Sequence, residues 1–315
     1  MLTRSSLPKN KKRRFTAQEI FFIFGGVILP LIFFLVFYVY VNFSSFLMAF
    51  QKPKDGRLIW TFDNFEWVFK RIIHGSQTPE DNLQLACINT FITFLVQMVV
   101  FFVGIFVAYA IYKKVLGYKT FRVLLYLPSI LSSVVTCLFY LELMNSRGWS
   151  QFLITMFHLE ATFKNPLVDS RFSNAMVLLN YVWLNIPANM ILWGGAFSRI
   201  PTSVLESARI DGCGWFRELF QIVLPMIWPT MVVLLTTNIA SIFGATGNVF
   251  LLTSGAYGTQ TVSNWMYMQV QQASSDMSGS LYRVSALGLL LTVISCTLAI
   301  TIRHFLNKNF AEVEM

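Results

Sequence analysis

Six long apolar runs, separated by polar segments, dominate the hydrophobic pattern of this chain. They lie at residues 20–43, 85–112, 122–144, 174–197, 224–252 and 284–303. Each run is long enough to cross a hydrocarbon core as a helix, which takes about 20 residues. The runs are continuous and lack the alternation of outer-membrane strands. The pattern therefore predicts an all-α, polytopic membrane bundle of six transmembrane helices.

The composition agrees with a membrane protein. Of the 315 residues, 55% are hydrophobic and only 12% are charged, whereas a soluble domain carries about 25% charged residues. The first run follows a basic cluster at 9–14. It is longer than the apolar core of a signal peptide, about 7–15 residues, and no small-residue cleavage site follows it. We therefore expect an uncleaved first helix.

The charges predict an orientation for the bundle. With six spans, the segments 1–19, 113–122, 198–222 and 303–315 share one side of the membrane and hold 15 of the 24 Lys and Arg residues. That side has a net charge of +9 and the opposite side has a net charge of zero. By the positive-inside rule, the basic side and both termini are cytoplasmic. The net charge does not indicate nucleic-acid binding, because no basic soluble domain is present to bind it.

These assignments divide the chain into five parts. They are a basic cytoplasmic tail at 1–19, a first transmembrane helix at 20–43, an extracytoplasmic loop at 44–84, a five-helix core at 85–308 and a cytoplasmic tail at 309–315. The core contains a polar, amphipathic loop at 201–225 between spans four and five. A second outer loop, 145–173, contains Trp149, Phe152 and Phe157, which predict a short helix on the membrane surface.

The loop 201–225 begins with a possible capping box. Ser203 and Glu206 have the S-x-x-E spacing in which each side chain bonds the backbone N–H of the other end of the first turn. This role would explain Glu206 without any partner. A capping role does not exclude a second role for Glu206, in contact with a partner, at a different moment.

A pair of short helices is predicted in the same loop. Gly212 follows Asp211 and takes a positive φ freely, so it permits a sharp turn after the first helix. The second helix carries an apolar stripe on one side, made of Trp215, Phe216, Leu219, Phe220 and Val223. Such a stripe is covered either by its own bundle or by another protein.

Pro225 follows the second helix. We expect it to start span five, where its missing N–H costs nothing.

The spans hold no catalytic or energy-coupling chemistry. No Asp, Glu, Lys or Arg lies in the interior of a span, whereas ion-coupled carriers and voltage sensors depend on such groups. The chain also lacks the G-x-x-x-x-G-K-[ST] phosphate loop. Its four cysteines and three histidines are widely spaced and predict neither a disulfide framework nor a metal site. We predict no catalytic residue, no bound metal and no cofactor, so any energy that this protein uses has to come from a separate subunit.

Polar side chains on spans four and five are candidates for a substrate path. Asparagine offers both donors and acceptors, and tryptophan can stack on a sugar ring. The candidates are Asn180, Trp183, Asn185, Asn189, Asn238 and Asn248. For any single one of them we favour an explanation without a substrate, namely hydrogen bonding between helices or anchoring of the tryptophan at the interface.

The loop 201–225 resembles the EAA loop of binding-protein-dependent ABC importer permeases, whose pattern is E-A-A-x-x-x-G followed by I-x-L-P. The matching positions are Glu206, Ala208, Asp211, Gly212, Ile222, Leu224 and Pro225, with Ser207 in place of an alanine. Other stretches resemble the carbohydrate-importer permeases of the maltose-transporter type, namely residues 63–65, 89–90, 126–128 and 200–201, together with Trp183 and 252–261. In 252–261 the proline of the family pattern is absent.

The resemblance implies a set of partners. They are a homologous second permease that forms a heterodimer, two cytoplasmic ABC ATPases that use ATP-Mg, an extracytoplasmic solute-binding protein and a carbohydrate substrate, in the cell membrane of a prokaryote. It further implies that the loop is the ATPase-coupling element, with Glu206, Ser207, Ala208, Asp211, Gly212, Trp215, Phe216, Leu219 and Pro225 as its residues. Two alternatives stay open, namely a permease for a non-carbohydrate solute and a non-transporting membrane receptor or scaffold.

Overall fold

The fold is a helical bundle with one small β-hairpin. A computed structural model describes residues 16–309 apart from 55–56, 77–80, 146–155, 157–164, 245–247 and 274–278. The elements up to the fourth long helix are α1 (Ala17–Phe33), a π-helical segment (Phe34–Tyr40), α2 (Val41–Ala49), β1 (Gln51–Lys54), β2 (Arg57–Trp60), α3 (Asp63–His74), α4 (Leu83–Tyr112), α5 (Tyr118–Ile130), α6 (Ser133–Met144) and α7 (Ser173–Phe197). They are followed by α8 (Thr202–Ile210), α9 (Trp215–Glu218), a second π-helical segment (Leu219–Val223), α10 (Leu224–Met226), α11 (Trp228–Ala240), α12 (Val249–Leu252), α13 (Val262–Ala273) and α14 (Ser280–Asn309).

Four of the six predicted spans are continuous helices. Membrane-length apolar helices run over Phe24–Ala49, Leu83–Tyr112, Ser173–Phe197 and Ser280–Lys308. Each extends beyond its predicted apolar run at one end or both, because a helix continues into polar residues that hydropathy leaves out. The predicted helical membrane bundle is therefore confirmed, with four spans or up to six if each bent helix pair counts as one, and the hairpin of β1 and β2 is an addition to it.

The predicted span 122–144 is a bent pair rather than one helix. The chain bends by 108° between helices α5 and α6. Leu131 between them is extended, and the Ser132 hydroxyl accepts a hydrogen bond from the Val135 N–H to cap α6. A run of apolar residues does not reveal such a break, because the break comes from backbone angles and a cap rather than from hydropathy.

The predicted span 224–252 is broken as well. The segment Trp215–Met226 meets α11 at 76°, and α11 ends at Ala240. The prediction that Pro225 starts span five is wrong: Pro225 lies in the short α10, and α11 begins at Trp228 with a proline of its own in the first turn. Either proline satisfies the rule that a helix start tolerates a missing N–H, so the rule alone does not choose between them.

The first helix stands apart from the bundle over most of its length. Residues 24–46 are exposed, and only the α2 end contacts α14. In lipid an exposed apolar helix loses nothing, because acyl chains are as apolar as its side chains.

Helices α4 and α7 form the centre of the bundle. Gly104 allows their close approach, since a Cβ there would lie 2.9 Å from the Cβ of Asn189. Phe101 and Trp193 pack edge to face beside it, with ring centroids 4.9 Å apart, and both are buried. Small residues at a helix contact give this geometry in membrane bundles.

The predicted outer loop 44–84 is largely structured. Helix α2 continues to Ala49, β1 and β2 then pair as an antiparallel hairpin, and α3 follows. Asn64 ties these parts together, because its buried side-chain amide donates to the carbonyls of Ala49 (3.0 Å) and Gln51 (2.8 Å). We call this side of the bundle the hairpin end and the side that carries 113–122 and 198–225 the basic end. The predicted surface helix in 145–173 falls mostly outside the described residues and stays a prediction.

Candidate functional site

The first helix of the EAA-like loop, 201–225, is α8. Pro201 precedes it in the N-cap position, and no side chain caps its N-terminus. Ser203 is therefore inside the first turn, where its carbonyl accepts a hydrogen bond from the Ser207 hydroxyl. The predicted capping box between Ser203 and Glu206 is wrong, because the helix begins at Thr202, two residues earlier than that pattern requires. Glu206 is exposed.

A glycine turn ends α8. Gly212 has φ +71°. Its N–H donates to the Arg209 carbonyl, and the Cys213 N–H donates to the Ala208 carbonyl five residues back. This is the Schellman arrangement, which satisfies the last carbonyls of a helix and places glycine in the left-handed region. The predicted positive φ and sharp turn at Gly212 are confirmed.

The apolar stripe that follows is divided between two faces rather than lying on one. Leu219 and Val223 are fully buried against the ends of α4 and α7, and Trp215 packs on Tyr109 with ring centroids 4.9 Å apart. Phe216 and Phe220, by contrast, are 66% and 52% exposed. Both outcomes considered for the stripe therefore apply at once: its own bundle covers one face, and two phenylalanines remain uncovered.

A buried carboxylate that the sequence interpretation missed lies under this helix. Glu218 is 2% exposed. Its Oε1 accepts hydrogen bonds from the Tyr109 hydroxyl (2.9 Å) and the Lys113 ammonium (2.5 Å). The spacing from Trp215 could have indicated this burial, because Glu218 lies one helical turn further along the same face as that partly buried tryptophan. Residues Tyr109 and Lys113 share one face of α4 for the same reason, being four apart.

The candidate substrate-path residues do not form one cluster. Asn185 and Asn189 donate to the carbonyls four residues before them, and their side-chain amides are used within α7. Asn180 is fully buried and accepts from the Asn248 amide at 3.3 Å, while its own amide nitrogen has no partner within the part of the chain that the structure describes. Trp183 is partly buried, and its ring lies near those of Tyr140 and Phe139, each centroid 6.3 Å away.

Asn238 has a partner that the sequence interpretation missed. Gln97 on α4 donates to the Asn238 side-chain oxygen at 2.5 Å, and the Asn238 amide donates to the Leu234 carbonyl. The Gln97 side-chain oxygen is buried without a partner among the residues described. The hydrogen bond between the two helices therefore satisfies the Gln97 amide and the Asn238 side-chain oxygen, but it leaves the Gln97 side-chain oxygen unused.

The loop 252–261 is fixed to α4 near the hairpin end. The Asn89 amide donates to the carbonyls of Gly258 (2.7 Å) and Gln260 (2.9 Å), and the Thr90 hydroxyl accepts from the Val262 N–H (3.0 Å). Asn89 also accepts from the Asn174 side chain of α7. Residues 89–90 and 252–261, noted separately in the sequence, are thus two sides of one contact.

A second ionic cluster lies at the hairpin end. Asp81 pairs with Arg71 and accepts hydrogen bonds from the Trp265 and Gln269 side chains, each at 3.1 Å. Arg283 stacks over the Trp67 ring at 4.7 Å. These contacts hold α3, α13 and the start of α14 together, although the Arg71 Nε is buried without a partner among the residues described. Across the parts of the chain that the structure covers, no group of His, Cys, Asp or Glu is arranged to hold a metal ion.

The comparison with protein families decides what kind of membrane protein this is. A family model described as "Binding-protein-dependent transport system inner membrane component" matches residues 100–311. The match covers more than half of the chain. The chain belongs to this family. It is thus an inner-membrane component of a binding-protein-dependent transport system, and the predicted family is confirmed.

Curated relatives are similar over most of the chain. The galactooligosaccharides transport system permease protein GanP of Bacillus subtilis is 26% identical over 306 residues, which cover 90% of this chain and 67% of GanP. The sn-glycerol-3-phosphate transport system permease protein UgpA of Yersinia enterocolitica is 28% identical over 220 residues, covering 69% of this chain and 74% of UgpA.

A solved structure has the same fold. A chain of a bacterial ABC transporter involved in the import of the acidic polysaccharide alginate superposes with a TM-score of 0.75 at 20% sequence identity, covering 92% of this chain and 96% of that one. At this identity the likeness concerns the fold alone.

Proposed function

We propose that this inner-membrane component is a permease subunit of an ATP-driven importer for a sugar or oligosaccharide. Family membership over residues 100–311 carries the proposal. The relative GanP, which is named for galactooligosaccharide transport, supports the carbohydrate class. The subunit works with a homologous second permease, two ABC ATPases and an extracytoplasmic solute-binding protein. The partner ATPases bind and hydrolyse ATP-Mg, and this chain does not.

The basic end is the cytoplasmic end in this proposal. The positive-inside rule supports it, because the segments 1–19, 113–122, 198–222 and 303–315 carry the excess of Lys and Arg. Both termini are then cytoplasmic, and the hairpin end faces the binding protein.

The EAA-like loop is the contact with the ATPase. Two exposed phenylalanines, Phe216 and Phe220, and the exposed Ile210 lie on its uncovered side. A protein surface seldom presents large apolar side chains together unless a partner covers them. Because the opposite face of the loop is buried in the bundle, a push on the phenylalanines is passed to α4 and α7.

Reconstitution tests this function. Proteoliposomes with both permeases, the ATPase and the binding protein should accumulate a labelled galactooligosaccharide or maltodextrin only when ATP is supplied on the side of the membrane that carries the ATPase.

Crosslinking tests the contact with the ATPase. In a version of the protein free of native cysteines, Gln221→Cys should crosslink to the ATPase, and Thr237→Cys on α11 is the matched control that should not. Uptake without ATP, or no crosslink from position 221, contradicts the proposal.

A second solute class has an observation in its favour. UgpA, named for sn-glycerol-3-phosphate, is slightly more identical to this chain than GanP is, at 28% against 26%, although over fewer residues. A phosphate ester calls for a cation in the path, and α4, α7 and α11 contain no Lys or Arg. We therefore favour the carbohydrate. Competition of unlabelled glycerol-3-phosphate with sugar uptake distinguishes the two.

The Gln97–Asn238 pair is the part of the substrate path that we expect to contact solute. Replacing one partner with leucine leaves the other unpaired, which costs about 1–3 kcal/mol, whereas replacing both is nearly neutral for stability. The double variant Gln97→Leu/Asn238→Leu should therefore melt near the wild-type temperature and still show a KM for uptake raised roughly tenfold, the loss of one to two hydrogen bonds. The matched control is Asn185→Leu, whose amide is used within its own helix. An unchanged KM in the double variant excludes the pair from the path.

A further inference from the structure

We infer that Lys113 and Glu218, together with Tyr109, form a strut that makes the EAA-like loop and α4 move as one body. The inference rests on the proposed function, because a strut transmits force only if the ATPase pushes on the loop. Glu218 is a positioning residue here: it faces away from the exposed phenylalanines and acts through α4.

Among the residues that the structure describes, burial distinguishes this pair from the other ion pairs. The Lys113 and Glu218 side chains are 12% and 2% exposed. Those of Arg71 and Asp81 are 27% and 39% exposed, and those of the Lys52–Asp63 and Lys70–Glu66 pairs are all at least 46% exposed. Exposed pairs contribute little to stability, because water competes for both groups. A buried carboxylate, by contrast, has to keep its partners.

The geometry of the strut resists both sliding and rotation. Both donors, Lys113 and Tyr109, come from successive turns of α4 and converge on one oxygen of Glu218. Trp215, one turn before Glu218, packs on the Tyr109 ring. Leu219, directly after Glu218, is fully buried. A displacement of the loop along α4 would leave the carboxylate without a donor in an apolar surrounding, so α4 has to follow.

The location of Lys113 indicates the path by which movement of the EAA-like loop passes through the protein. It is the C-cap residue of α4, directly after Tyr112, and a cation there is favoured by the partial negative charge of the helix C-terminus. At its other end α4 holds Gly258 of the loop 252–261 through Asn89, and Val262 at the start of α13 through Thr90. Movement of the EAA-like loop therefore reaches the hairpin end through a single helix, Leu83–Tyr112.

Charge exchange tests the strut. In the reconstituted complex, Lys113→Glu and Glu218→Lys should each lower the number of solute molecules carried per ATP by at least roughly tenfold, within the range of known coupling factors. Hydrolysis by the ATPase should continue, because the exposed face of the loop is unchanged. The double variant Lys113→Glu/Glu218→Lys restores opposite charges and should return the ratio to near wild type. Lys119→Glu, in an exposed position of the same segment 113–122, is the matched control.

If a single charge variant fails to assemble, Tyr109→Phe still tests the strut. It removes one hydroxyl and keeps the packed ring, so the protein should fold. The number of solute molecules carried per ATP should fall roughly threefold, the effect of one hydrogen bond. The strut is overturned if the exchanged pair transports no better than the worse single variant, or if Tyr109→Phe leaves the ratio unchanged. The crosslink from Gln221→Cys separates the two proposals. If it forms while the strut variants stay coupled, the strut alone is wrong; if it is absent, the proposed ATPase contact is wrong.

Discussion

Replacing Gly212 with valine is expected to reduce solute uptake at least roughly tenfold while the protein stays in the membrane, because a strained turn costs about 1–3 kcal/mol. The backbone at Gly212 has φ +71°, a conformation that a β-branched residue resists. Nothing lies within 4 Å of a Cβ built there, so the effect comes from backbone strain rather than from a clash. The strain is relieved if α8 swings away from α9, and the exposed phenylalanines then no longer face the ATPase together with α8. Uptake in whole cells, corrected for the amount of membrane protein, measures the effect.

Two further variants separate backbone strain from side-chain size. Gly214 also has open space around it, but its φ is −71°, which any residue adopts. Gly214→Val should therefore keep most of the uptake. Gly212→Asn should keep more uptake than Gly212→Val, since asparagine enters the left-handed region more readily than other non-glycine residues. Equal uptake in the two Gly212 variants would mean that the turn is not what valine disturbs.

Glu206→Ala is expected to abolish coupled transport without unfolding α8. Glu206 is exposed within the helix and caps nothing, and alanine has the best helix propensity. The change should therefore leave both stability and abundance nearly unaltered. If the carboxylate contacts the ATPase, uptake should collapse and hydrolysis should no longer respond to loaded binding protein. Truncating a central contact residue typically costs about 2 kcal/mol or more, which is a loss of roughly thirtyfold in affinity.

Ser203→Ala is the control for the capping hypothesis. In a capping box the serine would matter as much as the glutamate, whereas the structure places Ser203 inside the first turn. Uptake should therefore stay normal in Ser203→Ala. Normal stimulation of hydrolysis by binding protein in Glu206→Ala would remove Glu206 from the coupling contact.

The apolar runs determine the class of fold without help from the tertiary structure. Membrane helices satisfy their backbone hydrogen bonds within themselves, so each span is encoded locally. The helices Leu83–Tyr112 and Ser173–Phe197 accordingly agree with their predicted runs to within two residues. The turn at Gly212 was also predictable, because it depends on a conformation that one residue type takes freely.

Tertiary structure decided the breaks and the polar contacts. The bends of 108° and 76° interrupt runs that hydropathy joins. The contact of Glu218 with Lys113 spans 105 positions, and that of Gln97 with Asn238 spans 141. No local pattern encodes such partners. Each amide or charged side chain could pair with many others in the unfolded chain, and it gains its hydrogen-bond or ion-pair partner only when the helices pack. For the same reason the stripe Trp215–Val223 was visible in the sequence, while its division into a buried and an exposed face depends on where α4 and α7 lie.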